Sequence, residues 1–274
     1  MMKMIKSILT LFLLLSMLTA CGKEDPIQTT EKTAFFTSVY PYLDELQARE
    51  FSPDDQDLWQ DPDYPYNDCR CVVSEFYGKL LITDGKHYEN DILGITHTMH
   101  FGDYWGNETG VFHQDENGDN EVATTEALIC LIPTPARTEV IALTGGINEG
   151  SLRFLKAEFE KQHTSIRFDG MPMAASYSYT NENEMPPSEF YIATDRSVIR
   201  VLLGDYLFSA TPNLFMIRME TLDVPDYWEH LEVNSMCQIG GTLYMGTQMG
   251  ILAYDIAADT YTYYPVDYKK AIEG

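Results

Sequence analysis

Beyond about residue 67 the chain alternates short runs of β-branched, aliphatic and aromatic residues with clusters of Gly, Asn, Asp and Pro. The runs at 72–73, 79–83, 128–132, 140–144 and 190–194 are strand-length and bounded by turn residues, which predicts an all-β body. One stretch departs from this texture. Across 151–161, Leu152, Leu155 and Phe159 fall at near-helical spacing, predicting a helix, with two strands of a hairpin as the alternative. Upstream, 22–67 is rich in Asp, Glu, Gln, Pro and Thr. Such composition buries too little apolar surface to offset chain entropy, so it predicts a tether. A short helix is expected over 40–51, and the prolines at 53, 62 and 65 predict turns or extended chain.

The last third repeats a pattern. Gly241-Thr242-Leu243-Tyr244-Met245-Gly246-Thr247 is followed by Gly250-Ile251-Leu252-Ala253-Tyr254-Asp255 and then Thr260-Tyr261-Thr262-Tyr263-Tyr264-Pro265. With 234–239 in front, these predict four antiparallel strands joined by tight turns. The segment resembles a blade of the bacterial β-propeller repeats found in sensor ectodomains. Weaker echoes begin at Gly78, Glu139 and Phe190, and the step from Phe190 to Leu243 is long enough to require an inserted loop, expected at 221–230. Tyr206 to Ala210 offers a competing alignment as a strand. The resemblance implies a propeller of roughly five four-stranded blades over 67–274, with a two-sheet β-sandwich as the alternative.

The N-terminus carries a different signal. Lys3 and Lys6 precede an apolar stretch, 8–18, too short to span a bilayer with ease, and small residues lead into Cys21. That is the pattern of an export signal. Leu18-Thr19-Ala20-Cys21 resembles a bacterial lipoprotein lipobox, which implies removal of 1–20, a lipid on the Cys21 sulfur, a tether over 21–66 and residence on the extracytoplasmic face of the cell membrane. The formal net charge of the whole chain is −24. It becomes two units more negative once Lys3 and Lys6 leave, which disfavours nucleic acid and favours cations, basic peptides or plain solubility. Cys69, Cys71, Cys130 and Cys237 permit two disulfides in an exported chain or remain buried thiols.

Four constellations bear on chemistry. His97, His100, Asp103 and His113 are close in sequence, but a separation of three puts His97 and His100 on opposite faces of a strand, against a metal site. Asp115, Asn117, Asp119 and Glu126 supply oxygen ligands at calcium-loop offsets, yet Asn120 stands where such a loop wants Gly, and Asn117-Gly118 makes a good hairpin turn. Gly145 to Ser151 looks superficially like a phosphate loop without its lysine and reads better as a turn. The acids are too numerous for any pair to be singled out as acid and base, so no catalytic residue is assigned. No cofactor is implied.

Aromatic residues beside turns are the expected binding groups: Tyr104, Trp105, Tyr227 and Trp228. The combined expectation is a non-catalytic, lipid-anchored binding or scaffold protein whose partner is a protein, peptide or glycan. The alternatives are a glycan-active hydrolase or lyase on a propeller, and an envelope-complex assembly factor.

Overall fold

The computed structural model describes residues 48–52, 54, 61, 71–76, 79–84, 99–101, 104–114, 117–134, 139–146, 148–156, 164–177, 187–210 and 213–266. Cys21, Cys69, His97, Asp103 and Asp115 lie outside them.

The fold is all-β and propeller-like. Five antiparallel sheets follow one another along the chain. Sheet 1 holds β1 (Cys71–Phe76) and β2 (Lys79–Asp84); sheet 2 holds β3 (Met99–Phe101), β4 (Tyr104–Asn107), β5 (Gly110–Gln114) and β6 (Asn120–Thr124). Sheet 3 holds β7 (Ala127–Thr134), β8 (Glu139–Gly145), β9 (Glu149–Lys156) and β10 (Thr164–Asp169). Sheet 4 holds β11 (Pro172–Ala175), β12 (Glu189–Thr194), β13 (Val198–Leu202) and β14 (Arg218–Leu222). Sheet 5 holds β15 (Val233–Ile239), β16 (Thr242–Thr247), β17 (Gly250–Asp255) and β18 (Thr260–Pro265). In every sheet the strands pair in chain order as a meander.

Among the described residues the core divides into four clusters, each lying in the seam between two sheets. Tyr104 and Val111 of sheet 2 meet Leu131, Val140 and Leu155 of sheet 3. The other face of sheet 3, with Ile132, Ile141, Leu143 and Leu152, meets Phe190, Ile192, Ile199 and Val201 of sheet 4. Tyr191, Ala193 and Val198 on the far face of sheet 4 meet Leu243, Met245 and Leu252 of sheet 5. Cys237 and Ile251 on the remaining face of sheet 5 meet Cys71, Val73 and Ile82 of sheet 1. Alternation of side chains along a strand sends neighbours into different seams, so strands buried on both faces read as unbroken apolar runs. Neighbouring sheets also touch through their first strands, β3 on β7, β7 on β11, β11 on β15 and β15 on β1. The last sheet therefore packs on the first, as neighbouring blades do.

This arrangement corrects three expectations. The stretch 151–161 is not helical in its described part, since β9 runs through Lys156. Leu152 and Leu155 are both fully buried but belong to different seams, and two-sided burial mimics helical spacing. Tyr206 and its neighbours form a short helix, α1 (Gly204–Phe208), and not a strand. The expected helix at 40–51 gives way, where described, to extended chain: Arg49 makes an antiparallel bridge to Tyr263. Phe51 stacks on Tyr227 with centroids 4.5 Å apart. The described part of the expected tether thus lies against sheet 5. Packed sheets in series also exclude the two-sheet sandwich.

The long step between Phe190 and Leu243 is explained, because both residues occupy second strands, β12 and β16. The extra length is divided between a connection from β13 to β14 containing α1 and a 3-10 turn at Leu214–Met216, and a connection from β14 to β15 containing a 3-10 turn at Trp228–His230.

Contact between the first and last sheets needs a glycine. A Cβ at Gly246 would collide with the carbonyl oxygen of Cys71, while the Val73 amide donates to Ser235 Oγ at 2.8 Å. Backbone cannot move aside cheaply here, so Gly246→Ala is expected to destabilise the fold by about 1–3 kcal/mol, read as a lowered urea midpoint. An unchanged midpoint would contradict the packing of sheet 5 on sheet 1.

Candidate functional site

In a meander, alternate connections fall on the same edge. The links between successive sheets therefore share one edge with the hairpins joining second to third strands. In sheets 3, 4 and 5 those hairpins are built around a buried threonine at or next to the end of the second strand: Thr144, Thr194 and Thr247 are completely buried. Thr194 Oγ1 accepts from the amides of Arg196 at 3.1 Å and Ser197 at 2.9 Å and donates to the Ser197 carbonyl at 3.0 Å. Thr247 Oγ1 accepts from the amides of Met249 at 3.2 Å and Gly250 at 3.1 Å and donates to the Gly250 carbonyl at 2.9 Å. These side chains satisfy amides that a sharp turn would leave unpaired.

The same hairpins grip the chain as it enters their sheet. At sheet 3, Glu126 in the entering link accepts from Thr144 Oγ1 at 2.6 Å, Ser151 Oγ at 2.9 Å and Arg153 Nε at 3.2 Å. Arg153 Nη2 closes a second, charge-assisted bond to the other carboxylate oxygen. At sheet 4, Asp195 accepts from the Met171 amide at 2.7 Å, and its own amide donates to the Met171 carbonyl at 3.0 Å. At sheet 5, Gln248 accepts from the Glu232 amide at 2.8 Å and donates to the His230 carbonyl at 2.7 Å.

Partial burial works to raise the Glu126 pKa, but the hydrogen bonds from Thr144, Arg153 and Ser151, with the Arg153 charge, outweigh it and hold the carboxyl below its ordinary value. A second charged row crosses sheet 4, where Tyr191, Arg200 and Glu220 stand opposite one another. Arg200 donates to Glu189 at 2.6 Å and to Glu220 at 3.3 Å, and Tyr191 donates to Glu189 at 2.6 Å. Glu189 is likewise held low: its bonds from Arg200 and Tyr191 override the opposing effect of burial.

No family model matches this chain. No curated protein matches it either. Among solved structures, the β-propeller domain of Myceliophteria thermophila Cps50 (Swd1) is similar over 60% of this chain and 55% of that one, with 14% identity and a TM-score of 0.37. The propeller-like description rests on the serial four-stranded meanders and on the contact between last and first sheets.

The four aromatic residues expected to bind divide into two kinds. Tyr104 is 3% exposed and packs in the seam between sheets 2 and 3, with its ring 5.0 Å from that of His113. Trp228 is also 3% exposed, and its indole N–H donates to the Thr194 carbonyl at 3.0 Å. Both are corrected to core residues, since seams between sheets take the largest rings. Trp105 and Tyr227 are half-buried. Trp105 stacks on Phe112 at 4.3 Å and donates to Asn120 Oδ1 at 2.9 Å, and Tyr227 is covered by Phe51. They belong to separate elements and form no common platform.

The calcium alternative is not assembled. Asn117 and Asp119 sit in the β5–β6 hairpin around Gly118, whereas Glu126 is engaged with Arg153 on sheet 3. Among the described residues, no group of three or more His, Cys, Asp or Glu side chains could hold a metal. Cys130 and Cys237 are buried free thiols, and Cys71 is buried. Burial pushes Cys130 up to about 12, and burial aided by Glu75 does the same to Cys237, so neither is a nucleophile at neutral pH.

Because the folded-state pKa of Glu126 lies below its ordinary 4.5, the stability it adds is present above that pH and is lost as pH falls through the lower value. Glu126→Gln is expected to lower stability at pH 7 by about 1–2 kcal/mol and to flatten the acid limb of a stability–pH curve measured by urea unfolding. An unaltered acid limb would mean that the ion pair contributes nothing.

Proposed function

We propose that this chain is a non-catalytic binding or scaffold protein, exported and held by a lipid on Cys21 at the extracytoplasmic face of the membrane, where it presents its sheets to a protein, peptide or glycan. The observation that carries the reading is the use made of polar side chains on the edge of the links between sheets. Glu126, Arg153, Asp195 and Gln248 direct their hydrogen bonds into the hairpins and entering links. Groups of the kind that perform acid–base chemistry elsewhere here hold a frame rigid, and a rigid frame suits recognition by its outer surfaces. The strongly acidic balance supports a basic partner over an anionic one.

Cells fed an alkyne fatty acid are expected to label the wild-type chain and not Cys21→Ala, which should accumulate unprocessed. Label surviving that substitution refutes the anchor. Crosslinking of the labelled wild type in intact cells is expected to yield an adduct of defined mass. Labelled chain without any adduct would leave the anchor standing and remove the binding role.

A further inference from the structure

Among the described residues, the two most exposed large apolar side chains share one connection, while Val122 and Met171 are less exposed and lie on other elements. Phe208 is 75% and Phe215 97% exposed, and both stand in the connection from β13 to β14. Corresponding connections between third and fourth strands, 115–119, 157–163 and 256–259, are much shorter than 203–217. The described parts of the longer one are built and anchored. Tyr206, Leu207 and Ile217 are buried in the seam between sheets 3 and 4, and the amides of Leu203 and Gly204 donate to the Ser188 carbonyl at 2.8 and 3.0 Å. Asn213 caps the 3-10 turn by accepting from the Phe215 amide at 3.0 Å. Anchoring of this quality holds two phenyl rings in water, against the hydrophobic effect, and large exposed apolar groups on an ordered frame mark contact sites.

A cavity lies at the two ends of the same connection, lined by Ser188, Glu189, Leu202, Gly204, Asp205 and Arg218. The Asp205 side chain is 74% exposed, with a loose 3.9 Å approach to Arg218, so its carboxylate is accessible to an incoming cation. The chain as a whole carries a formal charge of −24, which adds long-range attraction for a basic partner. The position of the rings argues for a protein over a bilayer. Residues 48–52 enter antiparallel to β18, placing residue 48 toward the edge of the links between sheets. The β13–β14 connection lies on the opposite edge, so it faces away from the side on which the N-terminal segment arrives.

From this geometry we propose that α1 and the Leu214–Met216 turn form a docking surface for a basic, apolar-rich protein segment, whose apolar side chains cover Phe208 and Phe215 while a Lys or Arg enters the cavity beside Asp205. The proposal rests on the binding role above and names its surface and partner class.

The test uses the full chain in mild detergent and a fluorescein-labelled amphipathic peptide of lysine and leucine, with fluorescence anisotropy as the readout. Phe208→Ser with Phe215→Ser is expected to weaken binding about tenfold or more, Asp205→Lys to weaken it several-fold, and Val122→Ser, at an exposed apolar position on sheet 2, to leave it unchanged. Replacing lysine by glutamate in the peptide is expected to abolish binding. Equal binding by the double variant, or by the glutamate peptide, overturns the proposal. So does retention on phosphatidylcholine vesicles, or a dimer in light scattering, that disappears with the two phenylalanines. Both rings are exposed, so the double variant should keep the wild-type circular dichroism and melting temperature. Failure here, with an adduct still formed by the labelled chain in cells, removes this surface and leaves the binding role intact.

Discussion

Sheets 3, 4 and 5 are apolar on both faces, and that single constraint dictates the architecture. A sheet with one apolar face is satisfied by a single partner layer; a sheet with two needs a neighbour on either side. Ile141 and Val140 sit next to each other on β8, and the seams that receive them are different. Repeating the requirement through sheets 3, 4 and 5 produces a series of packed sheets that runs from sheet 2 through to sheet 1.

Packing alone would let sheets slide on one another. The links that enter sheets 3, 4 and 5 prevent this, because each is hydrogen-bonded to the second hairpin of the sheet it enters. The chemistry of the grip varies, with a carboxylate taken by Arg153 in one sheet, an Asp195 side chain in the next and a Gln248 amide in the third. The position is constant. Entry strand and hairpin are thereby fixed to each other at the edge where a propeller would otherwise have free polar groups. The proposed recognition falls to the outer surfaces, and among the described sheets the β13–β14 connection is the longest of those between third and fourth strands.

Much of the fold was legible in the sequence because the repeating phrase marks one kind of strand. The segments beginning near Gly78, Glu139, Phe190 and Thr242 all became second strands, and sheet 5 follows its sequence reading almost residue for residue, down to the turn where Asp259 adopts a positive φ of 53°. Sheet 2 was harder to see: Tyr104 to Asn107 lacks the phrase, and its aromatic residues look like surface binders until Leu131 and Leu155 are known to lie across from them. The grips were not legible. Glu126 and Arg153 are 27 residues apart, and nothing local says that they share a face, since that depends on strand register. Trp228 was misread for the same reason, its indole partner being the Thr194 carbonyl 34 residues upstream.

Sheet 5 takes all four of its strands from the C-terminal end of the chain, and this sets the order in which the molecule can be completed. The contact between Val73 and Ser235 spans 162 residues. During synthesis, sheet 1 emerges before sheet 5, so Cys71, Val73 and Ile82 lack their partners until Cys237 and Ile251 arrive. Non-local closure of that kind comes late and slowly. The nascent chain thus carries an uncovered apolar face on sheet 1 until its last sheet forms, a surface on which a folding helper or a misfolded neighbour can settle.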